Sequence, residues 1–224
     1  MGSAITHPRF APRRGGSRAV TWWGKAWVRA VEEAAYGEID LRRGRAAARG
    51  GQVGSLTVDS GSVVAAVDEG DDTWTVRVGV PVLADGDRSM LVEVVAAESG
   101  RIAALMSGDL PHTLVEQLED AGVELLPYGG ELDADCSCDA WMQPCPHALA
   151  VMLQLGWLVD ADPFVLLALR GADRESLLSA LHERGTAGAA QPVDPVELDL
   201  EVALTAVQHA ADLLAALEQD DASP

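Results

Sequence analysis

Hydrophobic positions recur along the chain at two spacings, and the spacing switches several times. After twenty residues rich in Pro, Gly and Arg, the segment TWWGKAWVRAVEEAAYG (21–37) places Trp23, Trp27, Ala30, Val31 and Ala34 on one helical face. Thr21 is its predicted N-cap and Gly37 its stop. LRRGRAAARGG (41–51) reads as a short basic helix closed by a glycine pair. Three strands follow in VGSLTVDSG, SVVAAVDEG and TWTVRVGVPV. In the last, Trp74, Val76, Val78 and Val80 alternate with Thr73, Thr75 and Arg77, a period of two that turns one face to a core. Asp-Ser-Gly and Asp-Glu-Gly-Asp-Asp supply the turns of an antiparallel meander.

From Asp87 to Gly122 the pattern is helical, with breaks at Ser99-Gly100 and at Asp109–Pro111. VELLPYGGELDADCSC (123–138) reads as loop or short strand. PHALAVMLQLGWL (146–158) is apolar nearly all round, which predicts a buried helix. Asp162-Pro163 opens another helix that ends at Arg170-Gly171, and Asp173 a third that ends at Arg184-Gly185. TAGAAQPVDP has the composition of a linker. A final helix follows it, with Leu200, Leu204, Val207, Ala211 and Leu214 on one stripe. The expected organisation is a disordered basic arm (1–20), an N-terminal region (21–127), a region of loop and helices (128–185), a linker (186–196) and an acidic C-terminal helix with its tail (197–224).

Charge changes this picture. Sixteen Lys and Arg face 35 Asp and Glu in 224 residues, a net charge of −19. Residues 1–50 nevertheless hold ten of the basic groups and only four acids, while 102–169 hold eleven acids and no Lys or Arg. A uniformly basic nucleic-acid coat is excluded, since phosphate repels such a chain. No run approaches the roughly 20 apolar residues of a spanning helix. MGSAITHPRF lacks the apolar core of a secretory signal, so the expected location is cytoplasmic, away from membranes.

The chemistry is concentrated in thirteen residues, DCSCDAWMQPCPH. All three cysteines lie there, Cys136, Cys138 and Cys145, with His147 two positions on, spaced C-x-C-x(6)-C-x-H. Three thiolates and an imidazole are a full tetrahedral set for Zn²⁺. Residues two apart on an extended strand face the same way, which lets Cys136 and Cys138 share an ion. Cys145 is the predicted N-cap of the following helix, with Pro146 at N1 and His147 in the first turn. A thiolate there gains from unpaired backbone N–H groups. Rival readings explain less. An odd count leaves one thiol outside any disulfide, a Cys145–His147 nucleophile pair ignores two thiols, and scattered core cysteines would not cluster beside one of five histidines. Four protein ligands close the site, so the expected zinc is structural. Trp141 is expected to cover the site, and His112, His182 and His209 to be solvated.

C-x-C-x(6)-C-x-H before a helix resembles the SWIM zinc finger. TWWGKAWVRAVE, RRGRAAARGGQV and DPFVLLALRG…ESLLSAL extend the resemblance to bacterial SWIM zinc finger proteins over residues 21–184. It implies Cys136, Cys138, Cys145 and His147 as zinc ligands, with Asp139, Trp141 and Pro144 in the inter-ligand loop. It also implies action beside a Swi/Snf-type helicase-like ATPase. Pro146 departs from the pattern, standing where relatives often carry Lys or Arg.

The expected fold is therefore α+β, a small antiparallel sheet with helices plus a zinc-stapled, mainly helical half. The expected role is a non-enzymatic adaptor for a partner protein, since residues 131–160 carry five acids and no Lys or Arg to meet phosphate. The alternative is direct DNA binding through Arg42, Arg43, Arg45 and Arg49, with Trp22, Trp23 and Trp27 as stacking groups.

Overall fold

The alternation of valines with polar residues in the predicted meander produces strands β2 (Leu56–Asp59), β3 (Ser62–Glu69) and β4 (Asp72–Gly79). Val58, Val63, Val67, Val76 and Val78 are buried on one face, while Thr73, Thr75 and Arg77 are exposed. Gly61 and Gly70 stand in the left-handed region at φ +73° and +64°, so the two tight turns between these strands need glycine. The structure, a computed structural model, describes residues 4–14 and 19–189, with side chains described as far as 185.

The meander is widened at both edges. Strand β1 (Ile5–His7) pairs antiparallel with β2, Ile5 opposite Val58, and β5 (Asp133–Cys136) pairs antiparallel with β4, Val76 opposite Cys136. The sheet order is β1-β2-β3-β4-β5. The disordered arm expected at 1–20 is thus corrected over 4–14. Pro, Gly and Arg counts hid the β-branched Ile-Thr pair, which finds the open hydrogen-bonding edge of β2. Arg9 Nε donates to the Gly51 carbonyl at 2.8 Å, and Arg9 Nη1 lies 3.1 Å from Asp68. Phe10 packs edge-on against Trp157.

Helix α1 (Trp22–Ala34) starts where Thr21 caps it, the hydroxyl accepting from Gly24 N–H at 3.0 Å. Helix α2 (Glu38–Gly50) begins three residues before the expected basic segment and closes on Gly51 at φ +73°. The middle of the chain forms α3 (Asp85–Ala96), α4 (Ser99–Met106) and α5 (His112–Asp120). A 3-10 turn (Gly129–Glu131) precedes β5. Then come α6 (Pro146–Ala161), α7 (Pro163–Leu169) and α8 (Arg174–Ala189). Contacts divide the chain after Leu181. The first unit carries all that follows, and of the second only residues 182–189, the end of α8, are described. Because α8 runs to Ala189, the linker expected from 186 is helix over 186–189. The rest of that linker and the expected final helix lie outside the described residues.

Helix α6 is the centre of the first unit. Every residue from His147 to Gly156 is buried, as an apolar helix with no polar face requires. It packs on β4 and β3 and is covered by α1 and α2. Trp23 and Trp27 donate their indole N–H groups to α6 carbonyls, at Val159 and Met152, both at 2.9 Å. Gln154 of α6 donates to the Ala48 carbonyl of α2 at 2.8 Å. At Gly44 the α2 backbone runs against α6 so closely that a Cβ would fall 2.7 Å from Leu149 Cβ and 3.1 Å from the Pro146 carbonyl. Asp160 ties the far end of α6 to the start of α1, accepting from Thr21 N–H at 2.9 Å and from both Thr21 Oγ1 and Val20 N–H. Arg170, buried behind α7, donates to the Pro81 and Glu124 carbonyls, each at 2.6 Å.

Candidate metal centre

Two pieces of local structure bring the cysteines together. Strand β5 carries Cys136 to its end, and the pairing continues one step further through Ser137, whose N–H donates to the Thr75 carbonyl at 2.9 Å. Ser137 Oγ in turn accepts from Thr75 N–H at 2.8 Å. Seven residues after Cys138 the chain enters α6. Cys145 is its N-cap, with extended backbone at φ −75° and ψ 171°, and Pro146 is at N1. The Cys145 N–H donates to Gln143 Oε1 at 3.0 Å, and its carbonyl accepts from Leu149. His147 follows in the first turn, on the buried face.

The four predicted ligands meet. One donor atom each from Cys136, Cys138, Cys145 and His147 lies within 4.8 Å of every other. Cys138 Sγ and Cys145 Sγ are 3.5 Å apart, and His147 Nδ1 is 3.8 Å from Cys136 Sγ and 3.9 Å from Cys145 Sγ. Tetrahedral zinc with bonds of about 2.0–2.3 Å has edges of about 3.5–3.8 Å, so the spacing fits that ion. The sites of Cys136, Cys145 and His147 are buried and Cys138 is half-buried.

Two residues that the sequence did not assign to the site, Glu69 and the strand residue Trp74, complete the surroundings. His147 Nε2 lies 3.1 Å from Glu69 Oε2, at the end of β3, so the carboxylate holds the proton on Nε2 and leaves the Nδ1 lone pair facing the sulfurs. Trp74 of β4 stacks on the His147 ring, centroids 6.0 Å apart and planes 28° apart. Trp74 occupies the place expected of Trp141, which instead stands 93 % exposed. The cover comes from the sheet because β4 lies directly beside Cys136. The Glu69 contact spans 78 positions, and no local signal marks it.

The thiols are held differently. Burial pushes Cys136 up to about 12 and raises Cys145. At Cys138 burial also opposes ionisation, but hydrogen bonds from the Ala140 N–H, His147 and the neighbouring thiols outweigh it and lower the thiol below its ordinary value. A bound dication supplies the charge that makes three clustered thiolates, two of them buried, tolerable, so metal uptake here is coupled to proton release.

The basic segment is arranged otherwise than a stacking platform requires. Trp23 and Trp27 are core residues, and Trp22 donates to the Leu110 carbonyl at 3.0 Å. Arg45 is paired with Glu32, while Arg42 and Arg43 are exposed on α2. The Trp indoles are taken up because their helical stripe faces α6. Among the described residues no helix is long and apolar enough to cross a membrane.

Residues 117–156 match the family model of the SWIM zinc finger. An uncharacterized protein of Mycobacterium tuberculosis is 35 % identical over 184 residues, which cover 81 % of this chain and 66 % of that protein. The chain therefore spans just under two thirds of that relative's length. No solved structure matches. The matched segment runs through both halves of the donor cluster and into the buried helix that carries His147 in its first turn, and the chain carries a SWIM zinc finger.

Proposed function

We propose that this protein is a non-enzymatic adaptor whose zinc-pinned finger docks a partner protein, a Swi/Snf-type DNA-translocating ATPase. SWIM domains are generally interaction modules. Zinc, held by Cys136, Cys138, Cys145 and His147, clamps β5, the loop and α6 into one unit, and its four protein ligands leave no position for a substrate.

The observation that carries the reading is Trp141. A tryptophan 93 % exposed on a loop clamped at both ends offers a large apolar contact already fixed in place. Asp133 and Asp135 of β5 and Asp139 of the loop are exposed, and three thiolates with zinc add a further net negative charge. Such a surface suits a partner face that is basic at its rim and apolar at its centre.

Calorimetric titration of a purified Swi/Snf-type ATPase into the zinc-loaded protein tests this. Trp141→Ala should weaken binding by about 2 kcal/mol, the scale of an aromatic anchor. Cys145→Ser should abolish it, and charge reversal at Arg42, Arg43 and Arg45 should leave it intact. Loss of DNA binding in that charge-reversed variant, with a steep salt dependence in the wild type and no ATPase binding, would replace the adaptor by the direct DNA reading.

A further inference from the structure

We propose a second docking site, separate from the finger, that takes a short acidic segment of another protein with interleaved apolar residues. It is a cleft of about 510 Å³ between α1, α2 and the part of α6 from Leu153 to Trp157. Lys25 and Arg29 stand one turn apart on α1, and Arg45 and Arg49 one turn apart on α2, so two helices each project a pair of cations onto the same opening. Four of the chain's sixteen Lys and Arg thus line one cleft in a protein of net charge −19, and Glu32 is the one acid among its lining residues. Their present hydrogen bonds leave capacity. Lys25 makes no ion pair within 4 Å among the described residues, its charge acting at longer range on Asp160, and Arg49 uses Nε to hold the Arg45 carbonyl at 3.1 Å. Arg45 and Arg29 are held by Glu32 and Glu33, exposed carboxylates that an incoming acid can replace.

The walls between these charges are apolar, formed by Val28, Leu153 and Trp157. Trp157 is fixed from outside by the N-terminal strand segment. Phe10 meets its edge at a centroid distance of 5.2 Å, and the Arg13 guanidinium lies over the ring at 4.3 Å. This decides between polyanions. A phosphodiester backbone has nothing to place on apolar walls, and a base would have to compete with Arg13 for the indole face. The acidic remainder of the chain also repels a long charge run beyond the reach of four cations. A short segment with two or three carboxylates and a leucine or phenylalanine between them feels mainly the local cluster, because charges more than about 8–10 Å away are screened. Its carboxylates pair with the rim and its apolar side chains fill the walls. The finger presents the opposite chemistry, acidic with an exposed Trp, so the two sites select different partner surfaces.

The test uses the full-length, zinc-loaded protein and three probes: a labelled peptide repeating Glu-Glu-Leu-Leu, the same peptide with Leu replaced by Ser, and a short DNA duplex. Binding is followed by fluorescence anisotropy and by amide and indole NMR shifts. The Leu peptide should bind and move the signals of Val28, Leu153 and the Trp157 indole. Lys25→Gln with Arg49→Gln should weaken it at least about tenfold, and Val28→Ser several-fold, with the far-UV circular dichroism of each variant matching the wild type. Trp141→Ala should leave it untouched, which separates this site from the finger. Equal binding of the Ser peptide would reduce the cleft to unspecific charge attraction and overturn the proposal. So would a preference for the duplex, or shifts confined to residues outside the cleft.

Discussion

Replacing Glu69 by Gln probes the part of the metal centre that the spacing of its ligands does not reveal. The carboxylate reaches His147 Nε2 at 3.1 Å from the end of β3, while Nδ1 faces the sulfurs. Losing such a partner to a metal-bound histidine costs about 10- to 100-fold in metal affinity. The Glu69 side chain is 68 % exposed, so water screens its charge, and the lower end applies, about tenfold or 1.4 kcal/mol. Gln keeps an acceptor for the Nε2–H but loses the charge, and Ala loses both, so the order of zinc affinity should be wild type, then Gln, then Ala. Competition against a chromophoric chelator at neutral pH measures it. Repeating the titration at high salt should narrow the gap between wild type and Gln, since only the charge is screened. Equal affinities for all three proteins would refute the reasoning. His147 would then be oriented by its stack on Trp74 alone.

Four further outcomes follow from the same structure. Apparent zinc affinity should rise with pH, because the buried Cys136 thiol, pushed up to about 12, and the raised Cys145 thiol must release protons on binding; a pH-independent titration contradicts this. Zinc removal, or Cys136→Ser, should loosen the β4–β5 pairing and the first turn of α6 before the rest, as amide exchange at Ser137 and Leu149 would report. Gly44→Ala should destabilise by about 1–3 kcal/mol in denaturant melts, since its methyl would sit 2.7 Å from Leu149 Cβ; unchanged stability would mean the two helices are free to part. Asp160→Asn should cost about 1 kcal/mol at neutral pH. Asp160 is lowered from 3.8, held by Thr21 and Val20 against the opposing effect of burial. In acid the unfolded chain therefore takes up its proton first, and the wild-type advantage should fade as pH drops below about 4.

What was legible in the sequence was whatever repeats at short range. Trp23, Trp27 and Val31 lie on one helical stripe, Val76 and Val78 alternate, and three cysteines and a histidine sit within twelve positions. Each pattern has a local cause, so helices α1 and α6, the central strands and the donor set could be placed without tertiary information. Cys136 ends a strand, and Cys145 and His147 open a helix with a recognisable cap, which is why their convergence was readable. Strand β1 was not, because Ile5–His7 has no face of its own and is a strand only by virtue of β2's free edge. Glu69 and Trp74 belong to the hairpin, and nothing between 69 and 147 predicts that the hairpin end meets His147. Trp141 was misread for the complementary reason. An aromatic beside ligands looks like cover until a different residue is found in that place.

The position of α6 gives these features a common consequence. Its N-cap and first turn supply Cys145 and His147, its middle is buried throughout, and Leu153 and Trp157 further along form a wall of the basic cleft. Trp27 and Gln154 hold it to α1 and α2 along the way. A rigid buried helix of this kind fixes the spacing between finger and cleft, because core packing leaves it one well-defined place. The acidic tip carrying Trp141 and the cationic cleft are then presented at a set separation by one element. On the two docking sites proposed above, partners or partner segments of opposite charge would be engaged together without the zinc site having to move. Zinc is needed at one end only, where β5 and a loop too short to make a core must be clamped; at the other end the tryptophans and glycines of close helix packing supply that order.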